Sequence, residues 1–306
     1  MRLLWDMESG DPDDFITLLL LLGHPSVDLR GVTVTPGGAD QIGLVRWALD
    51  AFGRDDIRLG AFHDPAKLER MDKRDHGKVK NRVSRWHYKV YGEIPSSYEA
   101  EPGVDILREE FTPETTLVTG GPLKNLGALL REEGDAALGR LFVQGGFAGD
   151  NIVPAERRLA KFDGKITCPT YNLNGDPKSA LLVAASTRFS DKRFVSKNVC
   201  HGVSYTQSFH ERVQAAKTEA SGRWLTALEL IDQGMSHYLQ KHPDGKKLHD
   251  PLAACCALDP DIGQWEHVEL YREKGQWGAR LSPGSHTQII VDYDHERFVQ
   301  VFTGSV

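Results

Sequence analysis

The chain has 306 residues, about 40% hydrophobic and 26% charged, with a formal net charge of -6 at pH 7. That is enough apolar material for one domain carrying insertions, and the acidic balance argues against a general nucleic-acid binder. The apolar start Met1 to Trp5 is too short for a signal-peptide core and Leu18 to Leu22 too short to cross a bilayer, so neither export nor a membrane is expected.

Short apolar runs ending in Gly, Asp or Asn alternate with helical patterns, which predicts an α/β fold: an open, mostly parallel, Rossmann-like sheet with flanking helices. Strands are expected at Leu3 to Asp6, Leu29 to Thr35, Ile57 to Leu59, Thr116 to Thr119, Leu141 to Gln144 and Arg193 to Val199. Helices are expected at Asp13 to Gly23, Ala39 to Phe52, Gly103 to Phe111, Leu123 to Arg131, Asp176 to Ala185, Phe209 to Gln240 and Asp250 to Leu258. The tail, with His267 to Tyr271, Thr287 to Tyr293 and Phe298 to Phe302, reads as a small antiparallel part. Cys168, Cys200, Cys255 and Cys256 show no paired CxxC spacing, so neither a disulfide framework nor zinc is suggested and a cytoplasmic setting is expected.

Chemistry concentrates where the first strand meets the first helix. Asp6, Glu8, Asp11, Asp13 and Asp14 place five acids within nine residues, at the edge where open α/β sheets bind ligands. Helix capping uses one or two of them; the rest repel one another unless a hard cation such as calcium or magnesium is present. Far downstream, His249-Asp250-Pro251 opens another apolar helix and pairs a possible metal ligand with an imidazole able to donate a proton. Thr119-Gly120-Gly121-Pro122-Leu123-Lys124-Asn125 is a glycine-rich turn whose carbonyls suit a calcium shell. In Tyr171-Asn172-Leu173-Asn174-Gly175-Asp176-Pro177, Asn172 offers a donor and an acceptor to sugar hydroxyls, and Asp176 is placed to cap the next helix. Between Lys67 and Lys89 nine cations stand against three anions.

In this order, from Asp6 to about Pro260, these segments resemble the inosine-uridine nucleoside hydrolase family, with its acidic DxDPGxDD loop, TGPLTN turn, FNxxxDPEAA segment and terminal HDP. Gly145-Gly146-Phe147 and Asn151 match further family positions. The resemblance implies that Asp14 and Asp250 bind Ca2+ through their side chains, with Glu8 as a further ligand and the Gly120 carbonyl completing the shell; Asp6 and Asp11 are alternatives to Glu8. It also implies that Asp13, Asn151 and Asn172 hold ribose hydroxyls and that His249 is the acid assisting the leaving base.

The departures are informative. Glu8 and four residues replace the family's Asp and three before the paired acids, Gly38 replaces an Asn, and Thr170 replaces the Glu that holds the sugar 5′-hydroxyl. An insertion at about residues 155–169 brings Arg157, Arg158, Lys161 and Lys165. An acid lost and cations gained imply a charged or extended 5′ group, with Arg157 and Arg158 binding it. His76-Gly77 fits the family's closing loop, within a basic lid insertion at about residues 67–95 of an otherwise single domain spanning residues 1–306.

The expected chemistry is N-glycosidic hydrolysis of a nucleoside or a 5′-substituted ribosyl compound such as a nucleotide. Calcium holds the sugar hydroxyls and a water, a nearby carboxylate, Asp13 or Glu8, takes the water's proton, and His249 protonates the base. Trp86, Trp224 and Tyr238 are candidate stacking partners for that base. A small-molecule substrate and a homodimer or homotetramer are expected, without nucleic acid or membrane. The alternatives are a non-catalytic nucleoside or nucleotide sensor on the same fold, or a haloacid dehalogenase-type phosphatase using Asp6 as nucleophile.

Overall fold

The computed structural model describes residues 1–62, 83–132 and 134–305. Most of the expected basic lid, including His76, lies outside the described residues.

Among the described residues the fold is built on an eleven-stranded sheet. Inside its parallel part lies β1 (Arg2–Met7), flanked by β2 (Asp28–Val34) and β5 (Thr116–Thr119). Beyond β2 lie β3 (Arg58–Ala61) and β4 (Glu101–Pro102). Beyond β5 lie β6 (Leu138–Gln144), β8 (Phe189–Val195) and β13 (Thr287–Tyr293), and all these neighbours pair in parallel. The antiparallel part comprises β11 (Gly263–Glu273), β12 (Gln276–Leu281) and β7 (Thr167–Cys168). Five of the six residues of β1 are buried, as a central parallel strand covered on both faces requires.

Helices cover both faces. On one lie α1 (Pro12–Gly23), α2 (Ala39–Ala51), α3 (Arg85–Tyr91), and further on α9 (Gln207–Glu219), α10 (Gly222–Leu239), α11 (His249–Leu258) and α12 (His295–Phe302). On the other lie α4 (Gly103–Glu110), α5 (Lys124–Arg131) and α7 (Pro177–Ala185). Two short helices, α6 (Tyr171–Gly175) and α8 (Lys197–Cys200), sit at the carboxyl end of the sheet beside a two-stranded ribbon of β9 (Ser204–Tyr205) and β10 (Lys246–Lys247). All twelve residues of α1 are buried, because α10 and α11 pack over its outer side. A Cβ added at Gly23 would come within 2.6 Å of Ala227 and of the Arg223 carbonyl, so glycine is what lets α1 meet α10 this closely.

Four expectations for the elements change. Phe298 to Phe302 is helical rather than extended, and its apolar residues Phe298, Val299, Val301 and Phe302 fall on one helical face. Thr287–Tyr293 pairs in parallel with β8 on one edge and antiparallel with β11 on the other. The strand expected at Arg193 to Val199 is β8, already finished at Val195, and the helix expected from Phe209 to Gln240 breaks at Ser221-Gly222, where Gly222 has φ 57°. Among the described residues no helix is long and apolar enough to cross a membrane.

From β1 the chain goes to β2 on one side, and it later returns to β5 on the other. The carboxyl end of β1 is therefore the switch point of the sheet, where the splayed loops leave a crevice.

Candidate metal centre and active cavity

Into this crevice project the segments singled out in the sequence. A cavity of about 380 Å³ is lined by Glu8, Asp11, Asp13, Asp14, Gly120, Gln144, Tyr171, Asn172, His249 and Asp250. Glu8 follows β1, Asp13 and Asp14 form the first turn of α1, Gly120 follows β5, Gln144 ends β6, and His249 and Asp250 open α11.

Asp13 ties these segments together. Its Oδ2 accepts the backbone N–H groups of His249 at 2.8 Å and Asp250 at 3.3 Å, so a carboxylate from α1 satisfies the first donors of α11. Its Oδ1 accepts from Lys246 Nζ at 3.0 Å, and the same ammonium reaches Asp11 Oδ1 at 3.0 Å and the Lys247 carbonyl at 2.8 Å. Burial would raise the Asp13 pKa, but the charges of Lys246 and His249 outweigh it and hold the carboxyl below its ordinary value.

Among the described residues no cation pairs with Asp14 or Asp250, and Asp14 Oδ2 accepts the backbone N–H of Asp11 at 3.2 Å. Ligand atoms of Asp13, Asp14 and Asp250 lie within 4.8 Å of one another, all three residues buried. Burial, followed by the charges of neighbouring acids, pushes Asp14 and Asp250 well above the carboxylate range. Burial also pushes Glu8 up to about 7, reinforced by Asp11 and Asp13 against a hydrogen bond from Tyr171. Asp14 Oδ1 is buried with no hydrogen-bond partner among the described residues. Crowded, buried, oxygen-only ligands with an orphaned carboxylate oxygen fit a hard divalent cation. Gly120 is close by: a Cβ there would stand 2.8 Å from the Asp250 carboxyl carbon and 2.4 Å from the Trp5 ring, so only glycine lets the backbone approach the acids.

Asn172 Nδ2 donates to the Gly120 carbonyl at 3.0 Å and to Gln144 Oε1 at 2.7 Å, which leaves its Oδ1 as an acceptor. His249 Nδ1 is 3.8 Å from Asp13 Oδ2, and its buried Nε2 has no partner among the described residues. Burial lowers the His249 pKa against the pull of Asp13.

Other expected residues lie elsewhere. Asp6 is fully buried beneath the cavity, its Oδ1 accepting from Thr33 Oγ1 at 2.6 Å and Asn125 Nδ2 at 2.8 Å, and burial raises it to about 6 despite both bonds. It is not among the lining residues. Asn151 Nδ2 donates to the Ala279 carbonyl at 2.9 Å, on β12. The Arg157 guanidinium pairs with Asp292 at 3.1 Å, and Arg158 donates to the carbonyls of Asp150 and Val153. Trp224 packs against His24, ring centroids 5.3 Å apart, whereas Trp86 and Tyr238 line a cavity of about 240 Å³ that shares Asp11 with the acidic one.

Two participants escaped the sequence reasoning. Lys246, 4% exposed, stands in the short run Gly245-Lys246-Lys247, which carries no motif. His201 packs against His249 at a tilt of 48° with centroids 4.7 Å apart, and Lys161 Nζ lies 2.8 Å from the His201 Nδ1. Burial and the nearby charges of His249 and Lys161 bring the His201 pKa down to about 3, which keeps this imidazole neutral.

The chain resembles known proteins along nearly its whole length. It is 26% identical over 306 residues to an uncharacterized protein of Aquifex aeolicus, covering 97% of this chain and 96% of that one. It is 24% identical to the pyrimidine-specific ribonucleoside hydrolase RihA of Citrobacter koseri, covering 96% of this chain and 88% of the relative. Among solved structures, the inosine-uridine preferring nucleoside hydrolase of Bacillus anthracis superposes with a TM-score of 0.66 at 19% identity, covering 100% of both chains. The purine-preferring ribonucleoside hydrolase of Gardnerella vaginalis gives 0.65 at 18% identity, over 99% of this chain and 97% of the other. The sequence model of the inosine-uridine preferring nucleoside hydrolases matches residues 3–300, and the chain therefore belongs to that family of N-glycosidic hydrolases, as a divergent member.

Proposed function

We propose that the chain is a calcium-dependent N-ribohydrolase acting on a nucleoside or a 5′-substituted ribosyl compound such as a nucleotide. The observation that carries this reading is the group of three buried carboxylates, Asp13, Asp14 and Asp250, in one cavity with His249. Asp14, Asp250, Glu8 and the Gly120 carbonyl are the oxygen donors that would hold the ion. When bound, calcium supplies positive charge that anchors vicinal hydroxyls and makes a water more acidic.

The protein's own groups do the rest. A carboxylate offers about four lone-pair positions, and Asp13 commits three of them, to Lys246 and two backbone amides. The remaining one accepts a hydrogen bond from a ribose hydroxyl or the proton of the attacking water, and Lys246 keeps the group ionised for it. Asn172 Oδ1 receives a second hydroxyl. His249 Nε2 donates to the base as the C1′–N bond lengthens, so that the base leaves neutral while positive charge develops on the sugar. Trp86 and Tyr238, which line the adjoining cavity, are the aromatic side chains placed to pack on that base.

Incubation of metal-stripped protein with a panel of purine and pyrimidine nucleosides, with calcium or with chelator, tests the proposal by chromatography of the free base. Release with calcium alone supports it. Binding of calcium and nucleoside without release would make the protein a sensor. The phosphatase alternative loses its footing, because Asp6 lies below the cavity with one oxygen already committed.

A further inference from the structure

The acidic cavity shares part of its lining with a larger one. Glu8, Gly10 and Tyr171 line both, and the second, of about 710 Å³, is walled further by Thr35, Gln41, Lys124, Thr170, Asn174 and Lys197. Three spaces thus adjoin one another: aromatic and imidazole side chains at Trp86, Tyr238, His237 and His242, then the carboxylates, then the lysines. His249, which faces the leaving base, lines the middle space and not the lysine-walled one.

From this order we propose that the cavity bearing Lys124 and Lys197 binds an anionic group on the 5′ carbon, so that the preferred substrates are nucleoside 5′-phosphates or similarly charged ribosyl compounds. The inference rests on the hydrolase reading. In a ribosyl ring C1′ and C4′ flank the ring oxygen from opposite sides. With the 2′ and 3′ hydroxyls pinned at the carboxylates, the base runs one way and the 5′ substituent the other. The base takes the side with aromatic faces, which leaves the 5′ group facing the lysines.

The lysine cavity is built for charge. Lys197 Nζ donates one hydrogen to the Pro169 carbonyl at 2.9 Å, which fixes the ammonium and leaves two donors. Lys124 Nζ stands 5.5 Å from the centroid of the Phe62 ring, and among the described residues neither lysine has a carboxylate within ion-pair distance. Thr170, 3% exposed, carries a hydroxyl with no hydrogen-bond partner among the described residues. Two ammonium groups without a carboxylate partner among the described residues and an unpartnered hydroxyl lining one cavity suit the oxygens of a phosphate. The arginines of the insertion are already taken by Asp292 and by backbone carbonyls, so among the described residues Lys124 and Lys197 are the cations that line this cavity. The opposing charge is Glu8, at the boundary between the two cavities, and a cation held by the carboxylates offsets it.

The test is the ratio of kcat/KM for a nucleoside 5′-monophosphate to that for the same nucleoside, with calcium, in the parent and in Lys124→Met and Lys197→Met. The parent should favour the nucleotide by about tenfold or more, a preference that weakens with salt and falls in each variant. Inorganic phosphate should compete with the nucleotide and bind the parent in calorimetry. A parent that hydrolyses the nucleoside at least as well as its monophosphate overturns the subsite while the hydrolase reading stands, and this holds whether or not the variants fold. Hydrolysis of neither compound removes the hydrolase reading, and the subsite with it.

Discussion

Without a cation the acidic cavity should work against the fold, and the effect is predictable in sign. At 4.8 Å and an effective dielectric of about 20, each pair of ionised carboxylates repels by on the order of 3 kcal/mol. Burial first, and then this repulsion, push Asp14 and Asp250 well above the usual carboxylate range and Glu8 up to about 7, while burial alone takes Asp6 up to about 6. A carboxyl whose pKa is raised by folding stabilises the protein fully below its unfolded value, and that contribution disappears as pH climbs through the raised one. In chelator, stability should fall steadily from about pH 4 to pH 8. Calcium at about 100 times its Kd adds roughly 2.7 kcal/mol, or about 5 °C in Tm for a chain of this size, and flattens that decline. Asp14→Asn should reverse the ranking. It removes one charge and puts an amide donor beside Asp250, so the variant melts above the parent in chelator at pH 8 and below it in calcium. Thermal melts of both proteins at pH 5 and pH 8 in each condition provide the assay. Equal melting in calcium and chelator at pH 8, or a chelated variant weaker than its parent, would refute the argument.

Two further substitutions separate chemistry from support. His249→Ala should lower kcat about 100-fold on substrates whose base leaves poorly, with little change in KM. A nitrophenyl riboside, which needs no proton, should be spared, and equal losses on both substrates would deny His249 its role. Lys246→Met leaves Asp13, 1% exposed, without its cation; urea unfolding should show a loss of about 3 to 5 kcal/mol, as for other broken buried pairs. A loss below about 1 kcal/mol would place Lys246 among surface-type pairs.

Much of the site was legible because its chemistry is carried by short motifs at strand ends. The carboxyl end of β1 and the start of α11 are marked by Asp13-Asp14 and His249-Asp250, and they meet where the Asp13 carboxylate accepts the backbone N–H groups that open α11. What could not be read is which cations face the cavity. Arg157 and Lys161 stand four residues apart in the same insertion, yet one is paired to Asp292 and the other reaches His201 beside His249. That division depends on long-range packing that no local pattern encodes. Lys246 was hidden for the same reason, since its burial comes from pairing of its two-residue strand with Tyr205. In the tail, aromatic and β-branched residues at Phe298 to Phe302 suggested a strand, whereas the i, i+3 and i, i+4 spacing that places them on the core decided for helix.

The most direct measurement is a calcium titration of the metal-stripped protein in which ion binding and release of free base from inosine or uridine are followed in the same samples. Base release should be absent in chelator, rise in step with occupancy of the carboxylate site, and be lost together with calcium binding in Asp14→Asn. Full calcium occupancy with no base released, or release that is unchanged by chelator, would contradict it.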